Sequence, residues 1–286
     1  MKLCRFNDNR LGLVEGDRVK DVTAALKILP PAHYPLPTYD LMIANLPAVR
    51  AEVEKLAKDA KDAKTVALAD CALLPPVANP GKIVAAPVNY KKHLEEAQTD
   101  PQIHHQNQVA EIQRVGLFLK ATSSLSGASQ DIIIRHPDRR TDHEIELVAI
   151  IGSKANRVKR EDAMKHVAGY CIGLDITVRG PEERSLRKSI DTYSVMGPYM
   201  VTADSVRDPN NLDFALTVNG EPRQKANTRD LIIGIADLIV FASAYYTLMP
   251  GDLLMTGTPE GVGPIKPGDV IDARIDQLGA MQVKVR

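Results

Sequence analysis

Tryptophan is absent from this 286-residue chain, aromatic residues make up 4% of it, and cysteine occurs three times, at Cys4, Cys71 and Cys171. An odd number of cysteines without CxxC spacing argues against a disulfide framework and a structural zinc site, and points to a reducing compartment. Neither sign of charge is in excess, since 36 Lys+Arg stand against 36 Asp+Glu. That balance gives no electrostatic case for a nucleic-acid or acidic-membrane partner, so any anion site must come from local grouping of basic residues. No apolar run reaches the roughly 18 residues needed to span a bilayer. The start, Met1-Lys2-Leu3-Cys4-Arg5-Phe6-Asn7-Asp8, turns polar too soon for a signal peptide. The expectation is a soluble cytoplasmic protein without nucleic-acid or membrane partners.

What is present divides the chain at about residue 75. Residues 2 to 22 suggest a hairpin, with Leu11-Gly12-Leu13-Val14 turning at Glu15-Gly16-Asp17 into Arg18-Val19-Lys20-Asp21-Val22. Leu46, Val49, Val53 and Leu56 fall at helical spacing within residues 39 to 60. Pro75-Pro76 and Asn79-Pro80-Gly81 then punctuate the chain. This reading gives a small N-terminal domain over residues 1–75 and a larger one over 76–286. In the second part strand-like runs alternate with Gly and Pro turns, including Pro-Gly-Asp turns at 250 to 252 and 267 to 269. Helices are expected over 160 to 166 and 228 to 246, the latter with Thr228 as N-cap. The polar segment 95–113 has no clear period and reads as a long loop or marginal helix.

The stretch Asp142-His143-Glu144-Ile145-Glu146 runs into the apolar Leu147-Val148-Ala149-Ile150-Ile151. On a strand, Glu144 and Glu146 share one face. Two like charges beside a core demand a cation, whether a basic side chain or a metal. Asp175, at the end of a second apolar run over 167 to 174, can supply a third carboxylate. An all-oxygen set suits Mg²⁺, Mn²⁺ or Ca²⁺, while a turn-forming aspartate or a partner for Arg179 is the plainer reading of Asp175. His93 and Glu96 are three apart, so one face of a short helix brings them together as an oriented general base; a solvated charged helix is the alternative. Met255-Thr256-Gly257-Thr258-Pro259-Glu260-Gly261-Val262-Gly263 is either a backbone cradle for an anion or a wide turn. It lacks the Gly-Lys-Ser/Thr ending of a phosphate-binding P-loop.

Taken in order, Asn89-Tyr90-x-x-His93-x-x-Glu96, Phe118-Leu119-Lys120, Asp142-x-Glu144-x-Glu146-Leu147, Val167-Ala168-Gly169-Tyr170, Asp175, Lys188-Ser189-x-Asp191-Thr192, Gly197-Pro198, Val218-Asn219-Gly220-Glu221 and Thr256-Gly257-Thr258-Pro259-x-Gly261-Val262-Gly263 resemble the fumarylacetoacetate hydrolase family. The resemblance covers about residues 82 to 286. It implies an α+β, predominantly β fold, a mixed β-sandwich or roll, with a small N-terminal α+β domain, commonly assembled as a homodimer. It implies one divalent metal, Mg²⁺, Mn²⁺ or Ca²⁺, on Glu144, Glu146 and Asp175. His93 and Glu96 on a closing lid would activate water, and Lys188 would assist the chemistry beside the metal. Tyr90, Lys120, Arg179 and Thr258 would contact a small keto or dicarboxylic acid.

The implied activity is hydrolysis of a C–C bond in an acylpyruvate-like or fumarylacetoacetate-like acid from aromatic or amino-acid breakdown. Decarboxylation or isomerisation of oxaloacetate or carboxymethyl-hydroxymuconate-type acids is the second reading, and a Ca²⁺-stabilised binding protein the third. Residues 179 to 188 depart most from the family pattern. There Arg179, Arg184, Arg187 and Lys188 cluster and offer either a place for a second carboxylate or a solvated basic loop.

Overall fold

The computed structural model describes residues 1–59, 65–99, 103 and 112–286. Three strands, Ile145–Ile151, Val167–Asp175 and Ser194–Thr202, pair antiparallel at its centre. All seven residues of the first are buried, so the run reads as continuously apolar instead of alternating, as strands covered on both faces do. Its two faces nevertheless feed different cores. Ile145, Leu147, Ala149 and Ile151 pack into one apolar cluster, while Val148 and Ile150 join another with Cys171, Met196 and Met200.

Leu253–Met255, Ile83–Ala85 and Phe118–Lys120 extend the sheet on one side. On the other side the N-terminal strand Lys2–Phe6 pairs with Ser194–Thr202, followed outward by Arg10–Glu15, Arg18–Asp21 and Thr65–Ala67. The expected hairpin is present, with Gly16 taking the positive φ of +60° that its turn requires. The helix Leu46–Asp59 buries Val49 and Val53 against Leu3, Leu11 and Ile43. The N-terminal segment thus shares a sheet and an apolar cluster with the rest of the chain. A four-stranded antiparallel sheet, in the order Glu221–Asn227, Asp213–Val218, Val270–Ile275, Gly279–Lys284, packs beside the first. The α+β, predominantly β class is as expected from the motifs.

Two elements differ from the sequence reading. The helix expected from residue 228 begins at Ile235, with Gly234 as its cap. The backbone before it is engaged elsewhere: Ile232 N donates to the Asn89 carbonyl at 2.8 Å, and Ile233 exchanges hydrogen bonds with the Asn89 side chain. Thr228 is buried, its hydroxyl donating to the Pro209 carbonyl. Within 95–113, the helix Lys91–Thr99 reaches past the expected start of the loop and Ile112–Val115 is helical. Residues 100–102 and 104–111 of that segment lie outside the described residues. No helix among the described residues is long and apolar enough to cross a membrane.

Candidate metal centre and active site

The register of the central strands assembles the carboxylates. Glu146 faces Gly173 across the ladder, and Asp175 N donates to the Glu144 carbonyl at 2.8 Å. Even-numbered residues of the first strand and odd-numbered residues of the second share a sheet face, so Glu144, Glu146 and Asp175 point the same way at one end of the sheet. An oxygen from each lies within 4.8 Å of the others, and all three residues are buried.

The surrounding cations balance this charge unevenly. Glu144 accepts from Arg179 at 2.9 Å and from Lys188 Nζ at 2.7 Å. Asp175 accepts from Lys188 at 2.7 Å and from Lys120, which also donates to the Tyr193 carbonyl. Glu146 receives one hydrogen bond among the described residues, from Gly257 N at 2.7 Å, and no ion pair. Burial would raise the Glu144 carboxyl, but Lys188 and Arg179 outweigh it and hold the group below its usual range. Burial followed by Asp175 pushes Glu146 well above that range. A buried carboxylate beside two others and lacking a cation is a donor waiting for one. With only hard oxygens offered, these residues fit a divalent cation such as Mg²⁺ or Mn²⁺. Each carboxylate oxygen has two lone-pair directions, so the lysines do not preclude a shared ligand.

The base sits on the helix Lys91–Thr99. His93 Nδ1 lies 2.9 Å from Glu96 Oε2, and a carboxylate there favours the tautomer that leaves Nε2 as the basic nitrogen. Glu96 Oε1 accepts from Gly261 N at 2.9 Å, tying this helix to the glycine-rich turn. That turn requires its glycines: at Gly257 (φ +98°) a Cβ would meet the Asn89 Cβ at 2.7 Å, and at Gly261 (φ +88°) the Arg223 carbonyl. The absent side chain lets the Gly257 amide reach Glu146.

His93, Glu144, Asp175, Arg179, Lys188 and Thr258 line one small cavity of about 20 Å³, also bounded by Val88, Phe118, Arg184 and Arg187. A groove at the helix Leu46–Asp59 is larger, about 600 Å³, but none of these carboxylates lines it; chemistry, not size, marks the site. Tyr90 is not brought to this cavity. It packs edge-on to Phe214 at 6.1 Å and lines a different cavity with Lys91 and Arg229. Lys120 lies behind Asp175, fully buried. Thr258 lines the cavity with its hydroxyl already donating to the Ile145 carbonyl.

Three contributors were given no role in the sequence reading, although Asp142 and Asn89 stand in its motifs. Asp142 accepts from Arg179 Nε at 2.8 Å and fixes the guanidinium that meets Glu144; its place two residues before Glu144 was the available signal. Gln224 accepts from Ile145 N at 3.1 Å and donates to Thr258 Oγ1 at 2.8 Å. The buried Asn89 amide joins Ile233 to the Thr256 carbonyl. Gln224 carries no local sequence signal, because its partners lie about 35 and 80 residues away.

Comparison with known proteins bears on this geometry. The family model described as fumarylacetoacetate (FAA) hydrolase C-terminal matches residues 82–286. A maleylpyruvate hydrolase from Aquipseudomonas alcaligenes is 54% identical over 290 residues, covering 100% of this chain and 99% of the relative. A mitochondrial oxaloacetate tautomerase from Homo sapiens is 36% identical over 225 residues, 74% of this chain and 68% of the relative. The crystal structure of maleylpyruvate hydrolase from Sphingobium sp. SYK-6 in complex with manganese (II) ion and pyruvate matches with TM-score 0.84 and 42% identity, covering 100% of this chain and 98% of that one. The chain therefore belongs to the fumarylacetoacetate hydrolase family and is a metal-dependent hydrolase within it.

Proposed function

We propose that this enzyme cleaves an acylpyruvate, with maleylpyruvate as the first candidate, and that Glu144, Glu146 and Asp175 hold its divalent metal, Mg²⁺ or Mn²⁺. The observation that carries this reading is one cavity lined by His93, Glu144 and Asp175, with Glu146 clustered beside the two carboxylates and Glu96 hydrogen-bonded to His93. The two maleylpyruvate hydrolases compared above support the substrate class.

When bound, the cation supplies Lewis-acid stabilisation of negative charge on the keto-acid oxygens. His93 Nε2 takes a proton from water, whose oxygen bonds to the acyl carbonyl carbon. The C–C bond to the pyruvyl methylene then breaks, its electron pair staying on the pyruvyl side, and the imidazolium returns the proton to that carbon. Maleate and pyruvate are the balanced products. Glu96 holds the imidazole ring in place, as carboxylate partners of catalytic histidines do. Lys188 adds positive charge beside the reacting oxygens. Arg179, held by Asp142, and Lys120 fix the ligand carboxylates from behind.

The test is product identification with the Mn²⁺ enzyme on maleylpyruvate and oxaloacetate. Equimolar maleate and pyruvate are expected. Release of CO₂, or tautomerisation without cleavage, would replace this reading by the decarboxylase or tautomerase alternative, and turnover of neither acid would favour a binding protein. His93→Ala should lower kcat by about 10²- to 10⁴-fold while Mn²⁺ still binds; an active variant removes His93 from this role. The family resemblance further implies a homodimer in the cytoplasm, and sedimentation at twice the chain mass tests the assembly.

A further inference from the structure

Among the described residues four cations border the cavity, and three are already engaged. Arg179 binds Asp142 and Glu144. Arg187 donates to the Glu182 and Val178 carbonyls at 2.8 and 3.0 Å. Lys188 donates to Glu144, Asp175 and Thr177, which uses all three of its N–H groups. Arg184 differs. Among the described residues its guanidinium has no hydrogen-bond or ion-pair partner, only the face of Phe118, 5.6 Å from the ring centroid. It is half-buried, and it lines the same cavity as His93 and Thr258.

A partly desolvated guanidinium that pairs with none of the described residues is costly to hold there. Its five N–H groups form a planar fork matched to a carboxylate. The helix Arg184–Lys188 sets the spacing. Arg184 and Lys188 are four apart and share a face, one turn or about 6 Å along the axis. Lys188 stands over the same Phe118 ring at 5.7 Å, so the aromatic face aligns both cations toward the cavity. Glu183 accepts from Ser185 N at 2.6 Å and does not pair with Arg184.

We propose that Arg184 is the specificity-determining residue, binding the carboxylate at the acyl end of the substrate and selecting diacids over acylpyruvates with a neutral tail. The inference rests on the hydrolase reading above and extends it to the far end of the substrate. In maleylpyruvate that second carboxylate lies three bonds beyond the carbonyl attacked by water. It therefore needs a cation away from the carboxylate cluster, and Arg184 is the cavity cation left for it.

The experiment compares kcat/KM for maleylpyruvate and for acetylpyruvate in wild type, Arg184→Gln and Arg184→Lys. A charged hydrogen bond is worth about 1.5–3 kcal/mol, so Arg184→Gln should lower the maleylpyruvate-to-acetylpyruvate ratio of kcat/KM by about 10- to 100-fold. The loss should appear mainly in KM for the diacid, and Arg184→Lys should recover part of it, since a point charge remains while the fork is lost. An unchanged ratio, whether both activities fall together or neither does, overturns the proposal. If wild type cleaves neither compound, the hydrolase reading fails and Arg184 is judged separately by calorimetry with maleate on the Mn²⁺ protein. Binding weakened at least tenfold by Arg184→Gln then supports the assignment, and equal affinity rejects it.

Discussion

Glu146 and Lys120 show how unevenly the sequence reveals the chemistry of this site. The alternation Glu144-x-Glu146 before an apolar run placed two carboxylates on one face and demanded a cation, and the structure answers that demand for Glu144 but not for Glu146. Lys120, 55 residues from Asp175 in sequence, looked like a substrate contact and instead lies buried behind that carboxylate; no local pattern marks so distant a pairing. Breaking a buried ion pair by removing one partner costs about 3–5 kcal/mol. Lys120→Met is therefore expected to destabilise the metal-free protein by about that amount in urea unfolding, and an unchanged midpoint would show that Asp175 does not depend on it. The thiols give a second expectation. Burial pushes Cys4 up to about 12 and raises Cys71 and Cys171. Native protein at pH 8 should release little chromophore from a disulfide thiol reagent, and all three thiols should react in guanidinium. Because the folded Cys4 thiol titrates above its unfolded value near 9, its contribution to stability is complete below that pH. It is lost as pH climbs toward 12, so alkaline melting temperatures should fall across that window.

Asn89 and the turn around Gly257 explain why the helix of residue 228 starts late. The periodic apolar residues after 235 were legible, and so was the i, i+3 spacing of His93 and Glu96. The use of Ile232 and Ile233 backbone groups by Asn89 was not, since hydrogen bonds spanning 144 residues leave no trace in local pattern. The Asn89 amide joins the start of the His93 helix to the segment before Ile235 and to Thr256, which lies beside Glu146's partner Gly257. Asn89→Ala leaves buried backbone groups unpaired, each worth about 1–3 kcal/mol. The expected result is a lower melting temperature and a kcat reduced more than Mn²⁺ affinity, because the carboxylates sit on other strands. Equal loss of both would mean that Asn89 supports the metal ligands directly.

The molecule is held as one body by the pairing of Lys2–Phe6 with Ser194–Thr202 and by the apolar cluster that joins Leu3, Leu11 and Val53 to Val148, Met196 and Met200. The break at Pro75-Pro76 was visible in sequence, whereas strand pairing across about 200 residues was not. The division into 1–75 and 76–286 stands as a proposal, tested by expressing residues 76–286 alone. Exposure of this sheet edge and apolar face predicts an insoluble or poorly folded product; a soluble, cooperatively melting fragment would show that the second part folds independently.

The most direct test of the metal centre is titration of Mn²⁺ into the chelator-stripped protein by calorimetry, for wild type and Glu146→Gln. One Mn²⁺ per chain, with affinity lowered at least about tenfold in a variant whose circular dichroism is unchanged, is the expected result. Equal affinity in the two proteins would contradict the assignment of Glu146, and with it the metal site built from Glu144, Glu146 and Asp175.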